Sequence, residues 1–145
     1  MATFLDRVRR MIAGDEPSPA AARLIGFHCT EVDHGRAVFE MEAGPQHANP
    51  MGTLHGGILC DLADAAMGIA FASTLEEGQT FTTLELKINF LKPVWNARLR
   101  ADARVVKRGR TVGMTECDVT DESGSLVARA SSTCMALSGE KAAGR

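Results

Sequence analysis

The chain has 145 residues, a length that suits one domain, and we expect residues 1–145 to form a single domain. Its composition is 45% hydrophobic and 23% charged with a formal net charge of −2, as in ordinary globular domains. This balance offers no basic surface for nucleic acid, and no apolar run approaches the ~18 residues of a transmembrane helix. We therefore expect neither nucleic acid nor a membrane as a partner.

A short amphipathic helix is predicted at the start of the chain, followed by a linker, and together they cover residues 1–17. Its apolar side chains recur at helical spacing: Phe4, Leu5, Val8, Met11 and Ile12. We expect this stripe to pack on the rest of the domain. Residues 20–24 are expected to form a short second helix.

Two strands and a long helix are predicted in the next part of the chain. The strands fall within residues 27–43, and residues 44–53 are rich in Gly, Pro and Asn, which indicates a loop. A helix is predicted over residues 55–74, because apolar side chains recur at helical spacing from Ile58 to Ile69. Most of its other positions are Gly or Ala, so we expect neighbours to pack closely around it.

The remainder of the chain is expected to consist of strands. Apolar and polar residues alternate near residues 83–90, and the apolar set is predicted to share one face: Leu84, Leu86, Ile88 and Phe90. Three further strands are predicted, at residues 101–107, 112–119 and 126–137, and residues 139–145 are expected to form a flexible tail. This order predicts an α+β fold in which an antiparallel β-sheet wraps around one long central helix.

Four cysteines are scattered through the chain without a C-x-x-C pair: Cys29, Cys60, Cys117 and Cys134. Such cysteines are typical of reduced, mostly buried thiols, which predicts a cytoplasmic protein. The first residues contain no apolar segment like that of a signal peptide, so we expect none. The four histidines show no spacing typical of metal ligands, and we expect no metal and no cofactor.

Two adjacent glycines, Gly56 and Gly57, stand where the loop becomes the long helix. The first amides of a helix lack intrahelical partners and carry the positive end of the helix dipole. Because glycine has no Cβ, another group can approach these amides closely. The pair therefore predicts a binding site for an anion or for a developing oxyanion.

Asp64 lies further along the same predicted helix, among apolar residues. A carboxylate in a buried helix needs a partner or a function. Two interpretations stay open from the residues alone: Asp64 is catalytic, or it points into a solvated gap. Asp61 has the pattern of an ordinary solvated residue, and His55 could simply bond locally at the helix start.

These residues belong to a longer pattern, H-x-N-x-x-G-x-x-H-G-G-x₄-L-x-D, which runs from His47 to Asp64. The pattern resembles the signature of the hotdog-fold acyl-CoA thioesterases, in the subgroup of the phenylacetyl-CoA thioesterases and thioesterase superfamily member 2. Residues 88–93 and the basic turn at 108–111 resemble further parts of that family. The resemblance extends roughly over residues 18–137.

The resemblance implies an enzyme that hydrolyses an acyl- or aryl-CoA thioester to free acid and coenzyme A. It implies that the amide of Gly56 polarises the thioester carbonyl and that Asp64 acts as nucleophile or as general base for water. Asn49 and His55 would orient the substrate or the attacking water. Thr83 matches the position of a hydroxyl residue that assists in some relatives.

The resemblance also indicates how coenzyme A is held. Gly57 and the basic side chains of Arg108 and Arg110 are the candidate contacts, although exposed turn arginines are common in any protein. Some relatives carry Thr or Ser four residues after the carboxylate, where this chain has Gly68, so Thr83 is the expected hydroxyl. Four side chains are candidates for the acyl pocket or equally for the core: Met51, Cys60, Met67 and Phe71.

The spacing of Gly56 and Asp64 predicts a site shared between subunits. Eight residues of helix separate them by ~12 Å along the axis, so both cannot reach one thioester from the same chain. If both act, they come from two chains whose helices run antiparallel across a two-fold axis. The resemblance implies the same homodimer, with the strand at residues 82–91 pairing with its symmetry mate, and often a homotetramer built as a dimer of dimers.

Two alternatives to hydrolysis of acyl-CoA stay open. One is a non-catalytic acyl-CoA binding or sensing module, against which the presence of Asp64, Asn49 and Gly56 weighs. The other is a thioesterase that acts on acyl carrier protein, whose thioester presents the same reacting group.

Overall fold

Six antiparallel strands and three helices account for most of the structure, a computed structural model that describes residues 2–145. The helices are α1 (Phe4–Ala13), α2 (Ala20–Ile25) and α3 (Gly56–Ala72). The strands are β1 (Phe27–Asp33), β2 (Arg36–Ala43), β3 (Thr80–Phe90), β4 (Ala97–Arg108), β5 (Val112–Thr120) and β6 (Leu126–Leu137). Short 3₁₀ turns occupy Pro45–His47 and Gly139–Ala142, the second within the predicted tail.

The strands form one sheet in the order β1-β2-β4-β5-β6-β3, so β1 and β3 are its two edges. α3 packs across the inner face, and its fully buried side chains form the centre of the core: Leu62, Ala63, Ala66, Met67, Ala70 and Phe71. The predicted α+β fold, a sheet wrapped around one central helix, is confirmed. The helix is not buried on all sides, however, because Gly57, Asp61 and Asp64 leave an open face.

β3 departs from the simple alternation that the sequence predicts. Its pairing with β6 slips between Thr83 and Glu85, which leaves Leu84 as the extra residue of a β-bulge with 53% of its surface exposed. The prediction that Leu84 shares the inner face with Leu86 is therefore wrong. Because the bulge shifts the phase of the strand, Thr83 is opposite buried Cys134 and faces α3.

α1 begins and ends with clear local signals. Thr3 and Asp6 form a capping box at its start, and Gly14 ends it with a left-handed conformation at φ 86°. Val8 is its one buried residue, and the helix packs on β1 at the side of the sheet. Among residues 2–145, no helix has the length and apolar character needed to cross a bilayer.

Candidate active site

The carboxylate of Asp64 is paired with a hydroxyl from the edge strand. α3 carries Asp64 on its open face, and the bulge in β3 turns Thr83 toward it, so that Thr83 Oγ1 donates a hydrogen bond of 3.2 Å to Asp64 Oδ1. Thr83 Oγ1 also lies 3.9 Å from the Sγ atom of buried Cys134. The predicted pair of Asp64 and Thr83 is thus brought together within one chain.

The surroundings of Asp64 make its carboxylate a better proton acceptor than an ordinary aspartate. The residue as a whole is exposed, but the carboxyl group lies in a cavity, and this local burial raises its pKa. The hydrogen bond from Thr83 acts in the opposite direction, and the nearby negative charge of Asp61 adds to the rise. A carboxylate with a raised pKa is a stronger base, and this suits proton abstraction from water.

The start of α3 presents the amide of Gly56 without a partner. Among residues 2–145, Gly56 N–H donates no hydrogen bond, as expected at the first position of a helix. A Cβ built on Gly56 would lie 2.8 Å from the Cζ atom of Phe90, so the aromatic ring at the end of β3 covers this glycine closely. A side chain at this position would therefore have to push the half-exposed Phe90 ring aside.

His55 and Gly57 are engaged with each other at the cap of α3. Gly57 N–H donates to Nδ1 of His55 over 2.9 Å, so Nδ1 is engaged as an acceptor at the helix cap. Of the two glycine amides, Gly56 is therefore the one free to bind an oxyanion. A contact of Gly57 with coenzyme A stays a prediction, and it would have to displace the His55 ring.

Asn49 and His47 organise the loop that precedes α3. Asn49 Oδ1 accepts from the amides of Met51 and Thr53 at 3.0 and 3.1 Å, and its Nδ2 donates to Thr53 Oγ1 at 2.7 Å. His47 is buried and links the amide of Gly44 to the carbonyl of Ile25, which ties the loop to α2. Asn49 thus shapes the wall near Gly56, and its orientation of water stays a prediction.

The two arginines of the β4–β5 turn have different surroundings. The guanidinium of Arg108 lies 4.7 Å from the centroid of the Phe71 ring and donates to Thr74 Oγ1 at 2.9 Å and to the carbonyls of Gly109 and Arg110. Arg110 is exposed. Arg108 therefore fastens the turn to the end of α3, and Arg110 is the better placed to contact a phosphate.

Two cavities open beside α3, one next to the predicted base Asp64 and one next to the predicted oxyanion donor Gly56. A cavity of about 450 Å³ holds Asp64 and Thr83 in its lining, and a second of about 420 Å³ is lined by Gly56, Asn49 and Phe90. The four side chains considered for the acyl pocket line neither of these cavities. Met67 and Phe71 belong to the core, Met51 is 77% exposed, and Cys60 lies between the two halves of the site on α3.

Sequence reasoning missed two parts of this arrangement. Phe90 was expected to be an ordinary strand residue, and only its approach to Gly56 shows its place beside the oxyanion site. The stripe on α1 packs on the domain as predicted, with Val8 buried, but its pattern does not show that Phe4, Val8 and Met11 also line the Asp64 cavity. Within residues 2–145, no three His, Cys, Asp or Glu side chains lie close enough together to hold a metal ion.

Comparisons with known proteins identify the family to which the chain belongs. The thioesterase superfamily model matches residues 51–128. Human acyl-coenzyme A thioesterase 13 is 33% identical over 100 residues, covering 66% of this chain and 69% of that protein. The 1,4-dihydroxy-2-naphthoyl-CoA hydrolase of Listeria monocytogenes is 30% identical over 103 residues, covering 71% of this chain and 84% of that protein.

The fold is also shared with solved structures. A phenylacetic acid degradation-related protein from Ralstonia eutropha superposes with a TM-score of 0.80 and 35% identity, covering 88% of this chain and 98% of that one. A six-stranded antiparallel sheet wrapped around one long helix is the hotdog fold of these structures. The chain belongs to the thioesterase superfamily and is a thioester hydrolase.

Proposed function

We propose that the substrate is an acyl- or aryl-CoA thioester, which is hydrolysed to free acid and coenzyme A. The observation that carries this proposal is the pairing of Asp64 with Thr83 in an apolar cavity, together with a free Gly56 amide at the start of the same helix. Two relatives support coenzyme A as the carrier of the acyl group, since one is named acyl-coenzyme A thioesterase 13 and the other 1,4-dihydroxy-2-naphthoyl-CoA hydrolase.

In the proposed reaction, the thioester carbonyl oxygen accepts a hydrogen bond from Gly56 N–H, which stabilises the charge that develops on that oxygen. Asp64 takes a proton from a water molecule while the water oxygen bonds to the carbonyl carbon. The tetrahedral intermediate then collapses, the C–S bond breaks, and the proton goes to the sulfur of coenzyme A.

In the alternative route, Asp64 Oδ attacks the carbonyl carbon, the C–S bond breaks and releases the thiolate of coenzyme A, and a mixed anhydride forms. Water then cleaves the anhydride to the free acid and the Asp64 carboxylate, and a proton from that water goes to the thiolate. If water attacks the Asp64 carbonyl carbon, the enzyme carboxylate gains its oxygen, which distinguishes this route from general-base catalysis.

The same proposal requires two chains for each site. Gly56 and Asp64 face different cavities, and they are ~12 Å apart along the axis of α3. Two copies of α3 that run antiparallel across a two-fold axis bring Gly56 of one copy to Asp64 of the other. The axis then passes near Cys60, which lies midway between them in sequence.

Support for such a dimer comes from the edge of the sheet. β3 is an edge strand of 11 residues whose outer hydrogen-bonding groups are open to a second strand. Large apolar side chains are exposed along β3 and just beyond it: Leu84, Phe90, Leu91 and Trp95. We propose that β3 pairs with its symmetry mate and covers these side chains, and that two such dimers associate further into a tetramer.

We also propose that the protein acts in the cytoplasm. All four cysteines are free thiols, two of them buried, which is the usual state in a reducing compartment.

The test of this function is release of coenzyme A, detected with a thiol reagent, by wild type and by Asp64→Asn. The Asn variant keeps the shape of the side chain but cannot accept the proton, so we expect kcat to fall by about 10²–10⁴-fold. Asp61→Asn, three residues away on the same open face, is the matched control and should keep kcat within a fewfold range when it is assayed well above the acid limb of the pH profile. Near-normal turnover by Asp64→Asn would contradict the mechanism. Hydrolysis of an acyl carrier protein thioester, without hydrolysis of any acyl-CoA, would contradict the proposal that coenzyme A carries the acyl group.

A further inference from the structure

The cavity that holds Asp64 separates α1 from α3 and encloses about 450 Å³. Protein interiors are normally close-packed, with few voids larger than a water molecule. A space of this size is in the range of small-molecule binding sites. Because it opens directly onto the pair of Asp64 and Thr83, the group that occupies it is the one attached to the reacting carbonyl.

One wall of the cavity is a single face of α1. Its lining side chains follow the spacing of one helical face: Phe4, Val8, Met11 and Ile12. The helix is held on the sheet by an edge-on contact of the Phe4 and Phe81 rings at 6.0 Å, by buried Val8 and by an Arg9–Asp33 ion pair of 4.0 Å. α1 is thus a positioned wall with open space beneath it.

The opposite walls are also apolar. Phe27 and Phe39 come from β1 and β2, and Ala65 and Ile69 come from α3. Cys29 lines the same space, and burial raises the pKa of its thiol to about 11, so the thiol stays neutral at physiological pH. Two further charged or titratable residues, Arg7 and His28, line the cavity. Both are exposed, so they mark its opening toward solvent.

We propose that α1 sets the length of the acyl group that the enzyme accepts, with Met11 and Val8 as the residues that determine this specificity. The inference rests on the proposed function, because it assumes that Asp64 meets the thioester. α1 lies outside residues 51–128, the part that matches the family model. A methylene occupies about the volume of a water molecule, ~30 Å³, and the cavity therefore has room for an extended acyl chain of more than ten carbons.

The expected profile follows from burial of each methylene. Every added CH₂ that enters the cavity should raise kcat/KM about fourfold until the cavity is full, after which the value levels off or falls. Small acyl groups such as butyryl should use the site near Asp64 without reaching α1. The contribution of α1 is therefore visible only with long substrates.

The experiment compares butyryl-CoA and lauroyl-CoA with wild type, Met11→Trp and Ala13→Trp. Met11→Trp fills the cavity, and we expect kcat/KM for lauroyl-CoA to fall at least tenfold while the value for butyryl-CoA stays within twofold. Ala13→Trp adds the same bulk at an exposed position of α1 that does not line the cavity, and both values should stay at the wild-type level. Met11→Ala, which introduces no bulk, should extend the preferred chain length and tests the same inference if Met11→Trp folds poorly.

The kcat/KM values of the variants for the two substrates can have three outcomes. A selective loss with lauroyl-CoA in Met11→Trp, or a longer optimum in Met11→Ala, supports the inference. An unchanged chain-length profile in both variants, or an equal loss with both substrates, overturns it while the proposed function stands. A wild-type protein that hydrolyses neither thioester contradicts the proposed function itself.

Discussion

Burial and two neighbouring residues shift the pKa of Asp64, and with it the pH at which the enzyme should become active. Burial raises the pKa of the carboxyl group, the Thr83 hydroxyl lowers it, and the charge of Asp61 raises it. Since the carboxylate must be ionised to accept a proton, activity should fall as the pH drops through this raised pKa. The acid limb of kcat/KM therefore reports directly on the geometry around Asp64.

Two substitutions should move this limb in opposite directions. Thr83→Val removes the hydrogen bond that favours the ionised form, so the limb should move to higher pH. Asp61→Asn removes a negative charge that disfavours ionisation, so the limb should move to lower pH. Thr82→Val, on the neighbouring residue that faces away from α3, is the control and should leave the limb in place. A limb that does not move in either of the first two variants would show that Asp64 is not the group that titrates.

Individual residues were predictable where backbone geometry dictates their chemistry. The glycine pair at a helix start predicted a free amide, and the structure leaves that of Gly56 unpaired among residues 2–145. The role of the Gly57 amide was not predictable in the same way. It donates to the side chain of His55, whose rotamer the sequence does not specify. The contact of Phe90 with Gly56 joins residues 34 positions apart, and no local pattern predicts it.

At the scale of elements, the two arginines of the β4–β5 turn are expected to have different roles, one in stability and one in substrate binding. Arg108 packs on Phe71 and bonds Thr74, so Arg108→Ala should lower the melting temperature through loss of a cation–π contact worth about 0.5–2 kcal/mol. Arg110 is exposed, and Arg110→Ala should raise KM for acyl-CoA with little change in kcat, because phosphate contacts help substrate and transition state equally.

The control for this pair is a truncated thioester that lacks the nucleotide. Its hydrolysis should be the same in wild type and Arg110→Ala, and the difference in KM for acyl-CoA should shrink as salt screens the exposed charge. An unchanged KM for acyl-CoA would mean that Arg110 is a solvated turn residue.

The order and type of the helices and strands were predicted well from the sequence. Strand boundaries and the face on which a side chain lies were predicted less well where they depend on pairing with a distant strand. β4 begins at Ala97, four residues before the predicted start, because Ala97 pairs with Ala43 of β2. The alternation near residue 84 pointed to the wrong phase for Leu84, since the bulge arises from the register with β6. The stripe on α1 correctly predicted a helix, but a stripe of this kind looks the same whether it covers a core or a cavity.

For the whole molecule, the distribution of charge indicates which surfaces can pair. The outer face of the sheet carries cross-strand ion pairs, such as Arg36–Asp102 at 2.9 Å and Arg104–Glu116 at 2.7 Å. Such a face is well hydrated, and covering it would desolvate many charges. The β3 edge offers exposed apolar side chains and unpaired backbone groups instead, which is why we expect the dimer there.

The central claim is that each active site combines Asp64 of one chain with Gly56 of another, and mixing inactive variants tests it most directly. Gly56→Pro removes the amide at the first position of α3, where proline is tolerated, and Gly56→Ala adds a Cβ but keeps the amide. The Ala variant therefore separates the effect of crowding against Phe90 from loss of the donor.

Subunits of Asp64→Asn and Gly56→Pro are mixed in equal amounts after dissociation, and coenzyme A release is measured after reassociation. Random pairing makes about half of the dimers mixed, and each mixed dimer holds one intact site of two, so about a quarter of the wild-type activity should return. Folded, exchanged mixtures that stay as inactive as the two parent variants would contradict the shared site.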